Sequence, residues 1–218
     1  MARKRAPFRV KESFPVRLPA ASPRGLREAA RILLRGGVVA FPTETVYGLA
    51  VRRGHKAARE RMRRIKGRDR RKPFQYLVAG KAAALRVCGS MPPLARKLAA
   101  AFWPGALTLV VRSRNGRWLG LRVPDHPVPR SLARRVGGAL VATSANRSGN
   151  APARTAAEAL KSVGAGIDLI LDGGRVRLGA ASTVVRVHGN RWRLLRAGAL
   201  SPRDIAEIAG PSSERDKE

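Results

Sequence analysis

The segment KGRDRRKP, Lys66 to Pro73, packs six charged residues into eight positions. Lys66 and Lys72 are point charges and Arg68 is a planar fork that matches phosphate or carboxylate, so the three could converge on a triphosphate. A solvated basic loop has the same composition, and this segment alone does not separate the two readings. TSANRSG, Thr143 to Gly149, follows an apolar run. Its Ser144 and Asn146 are short polar side chains able to hold a nucleotide phosphate or a substrate amide, and Ser148-Gly149 supplies a tight turn. PTETVYGL, Pro42 to Leu49, follows another apolar run: Thr43, Thr45 and Tyr47 bring hydroxyls, and Gly48 permits close backbone approach. The ends of strands in α/β sheets are where ligands bind, although an ordinary polar loop could look like either motif. Arg122 in GLRVPDHP and Arg196 in LLRAG stand within apolar strands, where an Arg is costly to bury unless it meets an anion; a surface or edge position is the alternative.

Other chemistries have no signature. The chain shows no P-loop and no dinucleotide fingerprint. His55, His126 and His188 sit in polar turns or on an edge strand without a nucleophile pattern, so a structural or solvent-facing role is expected for each. Cys88 stands alone, which excludes an internal disulfide, and it reads as a small core residue. No His/Cys spacing resembles a metal site, so no protein-held metal is expected.

The elements that must position these motifs alternate in type. Ser22-Pro23 is an N-cap and first helical residue, Leu26, Ala30, Leu33 and Leu34 recur at helical spacing, and Gly36-Gly37 stops the helix. Val38 to Phe41, Phe74 to Ala79, Leu107 to Val111, Ala139 to Thr143 and Ile167 to Leu171 read as strands. Lys56 to Ile65, Pro93 to Phe102, Pro129 to Val136 and Thr155 to Val163 read as helices. STVVRVHGNRWRLLRAG reads as two strands around Gly189-Asn190, followed by a last helix capped by Ser201-Pro202. Strands interleaved with helices imply an α/β fold. The expected organisation is a basic N-terminal arm or edge strand over 1–21, with ordered structure beginning at Ser22, one domain over 22–210, and a polar tail over 211–218.

Length and 44% hydrophobic content allow a substantial core without disulfides or structural metal. No apolar stretch follows the basic start at the length a signal peptide or membrane helix requires, which points to a soluble protein in the cytoplasm. The 45 Lys+Arg against 14 Asp+Glu give a net charge of +31, a field that attracts polyanions, RNA first among them. The excess of Arg, Ala and Gly is also what a GC-rich genome produces, so the charge alone does not establish an RNA surface.

In order along the chain, GGVVAFPTETVYGLA, KGR with KPF, WPGALTLVV, GLRVPDHP, LVATSANRSG, ASTVV and LLRAG closely resemble the threonylcarbamoyl-AMP synthase family with its YrdC-like domain. Each block is weak alone; seven in the family's order, from about Gly25 to Leu200, are specific. The resemblance implies a twisted mixed sheet flanked by helices, enclosing a positively charged concave surface. It implies an enzyme, a nucleotidyltransferase that makes L-threonylcarbamoyladenylate and pyrophosphate from L-threonine, bicarbonate and ATP, with Mg²⁺ shielding the phosphates. The product would pass to a downstream threonylcarbamoyl transferase for tRNA modification. Residue by residue, ATP would be held by Lys66, Arg68, Ser144, Asn146 and Arg196, with Lys66 and Arg68 catalytic. Threonine would be held by Thr43, Thr45, Lys72, Arg122 and Ser182, with Ala142 keeping the pocket small. Asp69 stands where the family usually has Pro, which implies a less rigid loop. The chain resembles the short, single-domain form. Two alternatives are a non-catalytic YrdC-like protein that binds structured RNA, and carbamoyl transfer in hydrogenase maturation, whose companion modules do not appear in this sequence.

Overall fold

The computed structural model describes residues 15–212. Ten strands and seven α-helices follow one another as β1 (Val16–Pro19), α1 (Pro23–Leu34), β2 (Val39–Phe41), β3 (Gly48–Arg52), α2 (Lys56–Lys66), β4 (Gln75–Val78), α3 (Lys81–Cys88), α4 (Pro93–Phe102), β5 (Leu107–Arg112), β6 (Trp118–Arg122), α5 (Pro127–Arg135), β7 (Ala139–Ser144), α6 (Ala156–Val163), β8 (Leu169–Asp172), β9 (Thr183–His188), β10 (Arg191–Arg196) and α7 (Pro202–Ala209). The expected caps form: Ser22 Oγ accepts from Gly25 N, Thr155 from Glu158 N and Ser201 from Arg203 N, each satisfying an N–H that the helix cannot. His55 and His126 do the same through Nδ1 for α2 and α5.

All ten strands join one mixed sheet in the order β1-β8-β2-β3-β7-β4-β6-β5-β9-β10. Alternation along the strands assigns its faces. On one face Val38, Ala40, Leu49, Val51, Val141 and Ile170 pack under α2 and α6, and Val78, Leu107, Leu109, Val111, Leu121, Val185 and Val187 pack under α3, α4 and α7. On the other face Val39, Phe41, Ala50, Leu140, Ala142, Leu169, Leu171 and Leu77 pack under α1 and α5. Helices therefore cover one face from β8 to β10 and the other only as far as β4. Beyond β4, the second face of β6, β5, β9 and β10 lies bare and forms the floor of a cleft.

Two expectations change. Order does not begin at Ser22: Val16–Pro19 extends the sheet in parallel with β8, and Arg17 Nε donates to Asp172 at 2.9 Å. The edge-strand reading of that segment is the one realised, while residues 1–14 of the expected arm lie outside the described residues. β3 and α3 were not expected, and the physical reason is local: β3 continues directly from the PTETV loop, and α3 starts at Gly80, which has no side chain to cap it.

Candidate functional site

The bare half-face and the strand ends beside it enclose a cleft of about 520 Å³. Of the eleven residues singled out in the sequence, nine line it: Thr43, Thr45, Arg68, Lys72, Arg122, Ala142, Ser144, Ser182 and Arg196. Lys66 and Asn146 do not, and the structure shows why. Ala58, Met62 and Lys66 form the buried stripe of α2 at steps of four, so the Lys66 side chain points into the protein and is 3% exposed. Its ammonium reaches Asn146 O at 2.6 Å, Ser144 O at 2.9 Å, Asn146 Oδ1 at 3.1 Å and Ser144 Oγ at 3.2 Å. Asn146 Nδ2 in turn donates to Arg147 O and Asn150 O. Lys66 and Asn146 thus lock the loop after β7 from behind and hold Ser144 at the cleft wall. Burial, with Arg68 and Arg196 nearby, pushes the Lys66 ammonium down to about 8, against the four oxygens that favour its charged form.

One residue separates this lock from a cation that faces the cleft. Gly67 ends α2 at φ 61°, in the left-handed region, and Arg68 emerges on the other side. Its Nε donates to Lys72 O at 3.1 Å, its Nη2 donates to Pro73 O at 2.7 Å, and the Phe74 ring lies 5.3 Å below its guanidinium carbon. Burial, then Arg63 and Arg196, lowers its pKa. Asp69 is hydrogen-bonded within this loop: its carboxylate accepts from Arg71 N at 2.8 Å, and its carbonyl accepts from Lys72 N and Arg63 Nη1. The first of these bonds is an Asx turn over Asp69–Arg71.

Arg122 is 3% exposed at the end of β6 and is not a free fork. Its Nη2 donates to Glu44 Oε1 at 2.7 Å and Thr45 Oγ1 at 2.9 Å, and its Nε donates to Gly105 O at 3.0 Å. Among the described residues only Nη1 makes no hydrogen bond, so a ligand carboxylate would meet one nitrogen of the fork rather than two. Thr43 donates to Val46 O at 2.7 Å; since a hydroxyl has one proton, the 2.8 Å contact between Thr43 and Thr45 is donated by Thr45. Both hydroxyl protons are therefore committed, and Thr45 can offer a ligand only a lone pair. Sequence reasoning missed Glu44, which is 3% exposed and has Oε2 unpartnered. Its signal was present in PTET: a carboxylate between two Thr of a buried loop needs a buried cation.

Arg196 owes its position to an irregularity. Leu194 packs against the helix-covered core, so strict alternation would send Arg196 the same way. The register shifts between Leu194 and Arg196, and the bulge lets both Leu195 and Arg196 line the cleft. Arg196 Nη2 then donates to Ser182 O at 2.7 Å. Gly198 makes this possible, because a Cβ there would stand 2.3 Å from Ala181 O. The lining carries six cations, Arg68, Arg71, Lys72, Arg122, Arg186 and Arg196, and no carboxylate. Such a surface suits a ligand with several negative charges.

Comparison with known proteins bears on that surface. The family model Sua5_yciO_yrdC, described as "Telomere recombination", matches residues 31–198. The threonylcarbamoyl-AMP synthase of Nitrosococcus oceani is 39% identical over 68% of this chain and 85% of its own. That of Halorhodospira halophila is 36% identical over 79% of this chain and 94% of its own. Among solved structures, P. abyssi Sua5 complexed with L-threonine superposes with a TM-score of 0.84 at 30% identity, covering 91% of this chain. This chain spans 61% of that protein's length. The match runs through both halves of the sheet and every cleft motif, and the chain belongs to the Sua5/YciO/YrdC family.

Proposed function

We propose that this chain is a cytoplasmic threonylcarbamoyl-AMP synthase, a nucleotidyltransferase that converts L-threonine, bicarbonate and ATP to L-threonylcarbamoyladenylate and pyrophosphate. The observation that carries the reading is the convergence of nine expected ligand residues, drawn from six separate stretches of sequence, on one cation-lined cleft. The names of the relatives and the threonine bound to P. abyssi Sua5 support the same substrate.

The threonine amine attacks the carbon of bicarbonate, and loss of water leaves a carbamate. A carbamate oxygen then attacks the α-phosphorus of ATP and the bond to pyrophosphate breaks. No covalent enzyme intermediate is needed; the protein supplies position and positive potential. In this reading Arg68, held on Phe74, and Arg196, held on Ser182, face the phosphates. Ser144 presents its hydroxyl from a loop set by Lys66. Arg122 Nη1 and Lys72 meet the threonine carboxylate, Thr45 accepts from its ammonium or hydroxyl, and Ala142 leaves room for its methyl. Among the described residues no group of three or more His, Cys, Asp or Glu could hold a metal. The cleft lining carries no carboxylate, so Mg²⁺ would arrive with ATP, bound to its phosphates, and shield their charge. The adenylate would pass to a downstream threonylcarbamoyl transferase, and the net charge of +31 favours contact with tRNA on the way.

The test is incubation with ATP, threonine and bicarbonate, followed by assay of pyrophosphate and the adenylate. Pyrophosphate release should need threonine and bicarbonate together. Equal ATP consumption without bicarbonate would remove the carbamate as nucleophile and the proposal with it.

A further inference from the structure

One end of the cleft contains residues that neither the threonine nor the phosphate assignment uses. Trp118, at the start of β6, and Arg186, on β9, both line it, with Val110, Val184 and Leu195 beside them and side-chain-free Gly120 as floor. The guanidinium carbon of Arg186 sits 4.9 Å over the Trp118 ring, and His188 meets the same indole edge-on at 6.0 Å. Arg186 Nε is buried without a hydrogen-bond partner, although a buried guanidinium N–H ordinarily finds an acceptor. The remaining surroundings do not supply an anion, since the cleft lining contains no carboxylate.

We propose that Arg186, seated on Trp118, is the platform on which the purine base of the nucleotide stacks, so that indole, guanidinium and base form three layers. This rests on the reading of the cleft as an ATP site and adds to it the residues that select the base. Geometry sets the placement. Ser144 and Trp118 lie at the same end of the sheet on strands β7 and β6, separated only by β4, which is roughly 10 Å at ordinary strand spacing. Phosphates at Arg68 and Ser144 therefore leave the base above Trp118 and Arg186. A planar guanidinium accepts a ring on its free face while the indole holds the other. Arg rather than Lys is required, because an ammonium offers no plane.

The experiment compares ATP with inorganic tripolyphosphate, which carries the charge without the base, by titration calorimetry on the wild type, Arg186→Ala, Arg186→Lys and Trp118→Phe. Thermal melting verifies that each variant is folded. Arg186→Ala should weaken ATP by roughly tenfold or more and tripolyphosphate by less than twofold. Arg186→Lys should fail to restore ATP, and Trp118→Phe should weaken it more mildly. Equal losses for ATP and tripolyphosphate would make Arg186 a phosphate ligand and overturn the platform. Unchanged ATP affinity in both Arg186 variants would overturn it too, leaving the synthase reading intact. Failure of the wild type to bind ATP would remove both.

Discussion

Strands β2 and β5 both run through the interior of the same sheet, yet they obey opposite rules. All three residues of β2 are buried, because α2 and α6 cover one face and α1 and α5 the other. In β5, Leu107, Leu109 and Val111 pack under the helices, while Thr108 and Val110 line the cleft. The doubly covered half reads as solid apolar runs, and the singly covered half alternates. Function follows from that difference: the cleft exists because α1 and α5 extend no further than β4. The strands they leave bare carry Thr108, Arg122 and Arg186 where an ordinary core would carry Val and Leu.

The largest contrast to test sets one residue from each half side by side. Leu49→Ala, in a fully buried position of β3, should cost about 2–5 kcal/mol of stability, read from denaturant unfolding, while the folded fraction keeps its turnover. Arg68→Ala should do the reverse. Adenylate formation should fall by roughly 10²-fold, as for loss of one preorganised electrostatic contact, with stability changed by no more than about 1 kcal/mol from the lost ring contact. A loss of activity below threefold would move the phosphate site away from Arg68.

Lys66 sharpens the comparison, since it belongs to the doubly covered half but serves the bare one. Its folded pKa of about 8 lies below its ordinary value of 10.5. Between the two, the unfolded chain binds more protons than the folded one, so stability should rise as pH increases through that window. Activity should move the opposite way. The charged ammonium sets the Ser144–Asn146 loop, and kcat/KM for ATP should fall above a value near 8, as expected for a group titrating in the free enzyme. A profile flat to well above that value would show that the loop holds without the charge.

These residues also show how much was legible. Alternation and capping placed most strands and helices, and the ordered motifs located the cleft. The orientation of Lys66 was readable in principle, at four and eight residues from Met62 and Ala58 on the buried stripe of α2. Charge alone does not show it; helical phase does. The Glu44–Arg122 pair was not readable, because it joins residues 78 positions apart whose meeting depends on strand order. Arg196 reaches the cleft through a bulge that no alternation pattern announces. Trp118 and Arg186 lie on strands separated only by β5, and their contact appears only once that order is known.

A smaller effect is expected where the two halves meet. Ala142 is 1% exposed, pairs with Ala50 on the covered side and Gln75 on the cleft side, and lines the cleft. Ala142→Val should raise the KM for threonine by roughly tenfold, within the usual cost of overpacking, and leave ATP affinity unchanged. Equal losses for both substrates would mean that the sheet had shifted rather than the threonine pocket filled.

The smallest effect belongs to Asp172, at the far edge of the doubly covered half. Its carboxylate accepts from Gly174 N at 2.9 Å, from Arg17 Nε at 2.9 Å and from Tyr47 Oη at 3.4 Å, tying β1 and the turn after β8 to the core. The Gly174 N–H, then Arg17 and Tyr47, hold its pKa below the ordinary value despite partial burial. A carboxyl depressed in the folded state contributes stability above its unfolded pKa, and that contribution disappears as pH falls through the folded value. Asp172→Asn keeps the shape and removes the charge. It should lower stability by about 1 kcal/mol at neutral pH, the size of an ordinary hydrogen-bond loss, and the gap from wild type should begin to narrow near the unfolded carboxyl's value of about 4 and close as pH falls through the lower folded value. Adenylate synthesis should stay within twofold, because Asp172 does not line the cleft. A stability gap that persists in acid would place the effect in the shape of the turn rather than in its charge. A large loss of synthesis would mean that the two halves of the sheet are coupled more tightly than their separate cores imply.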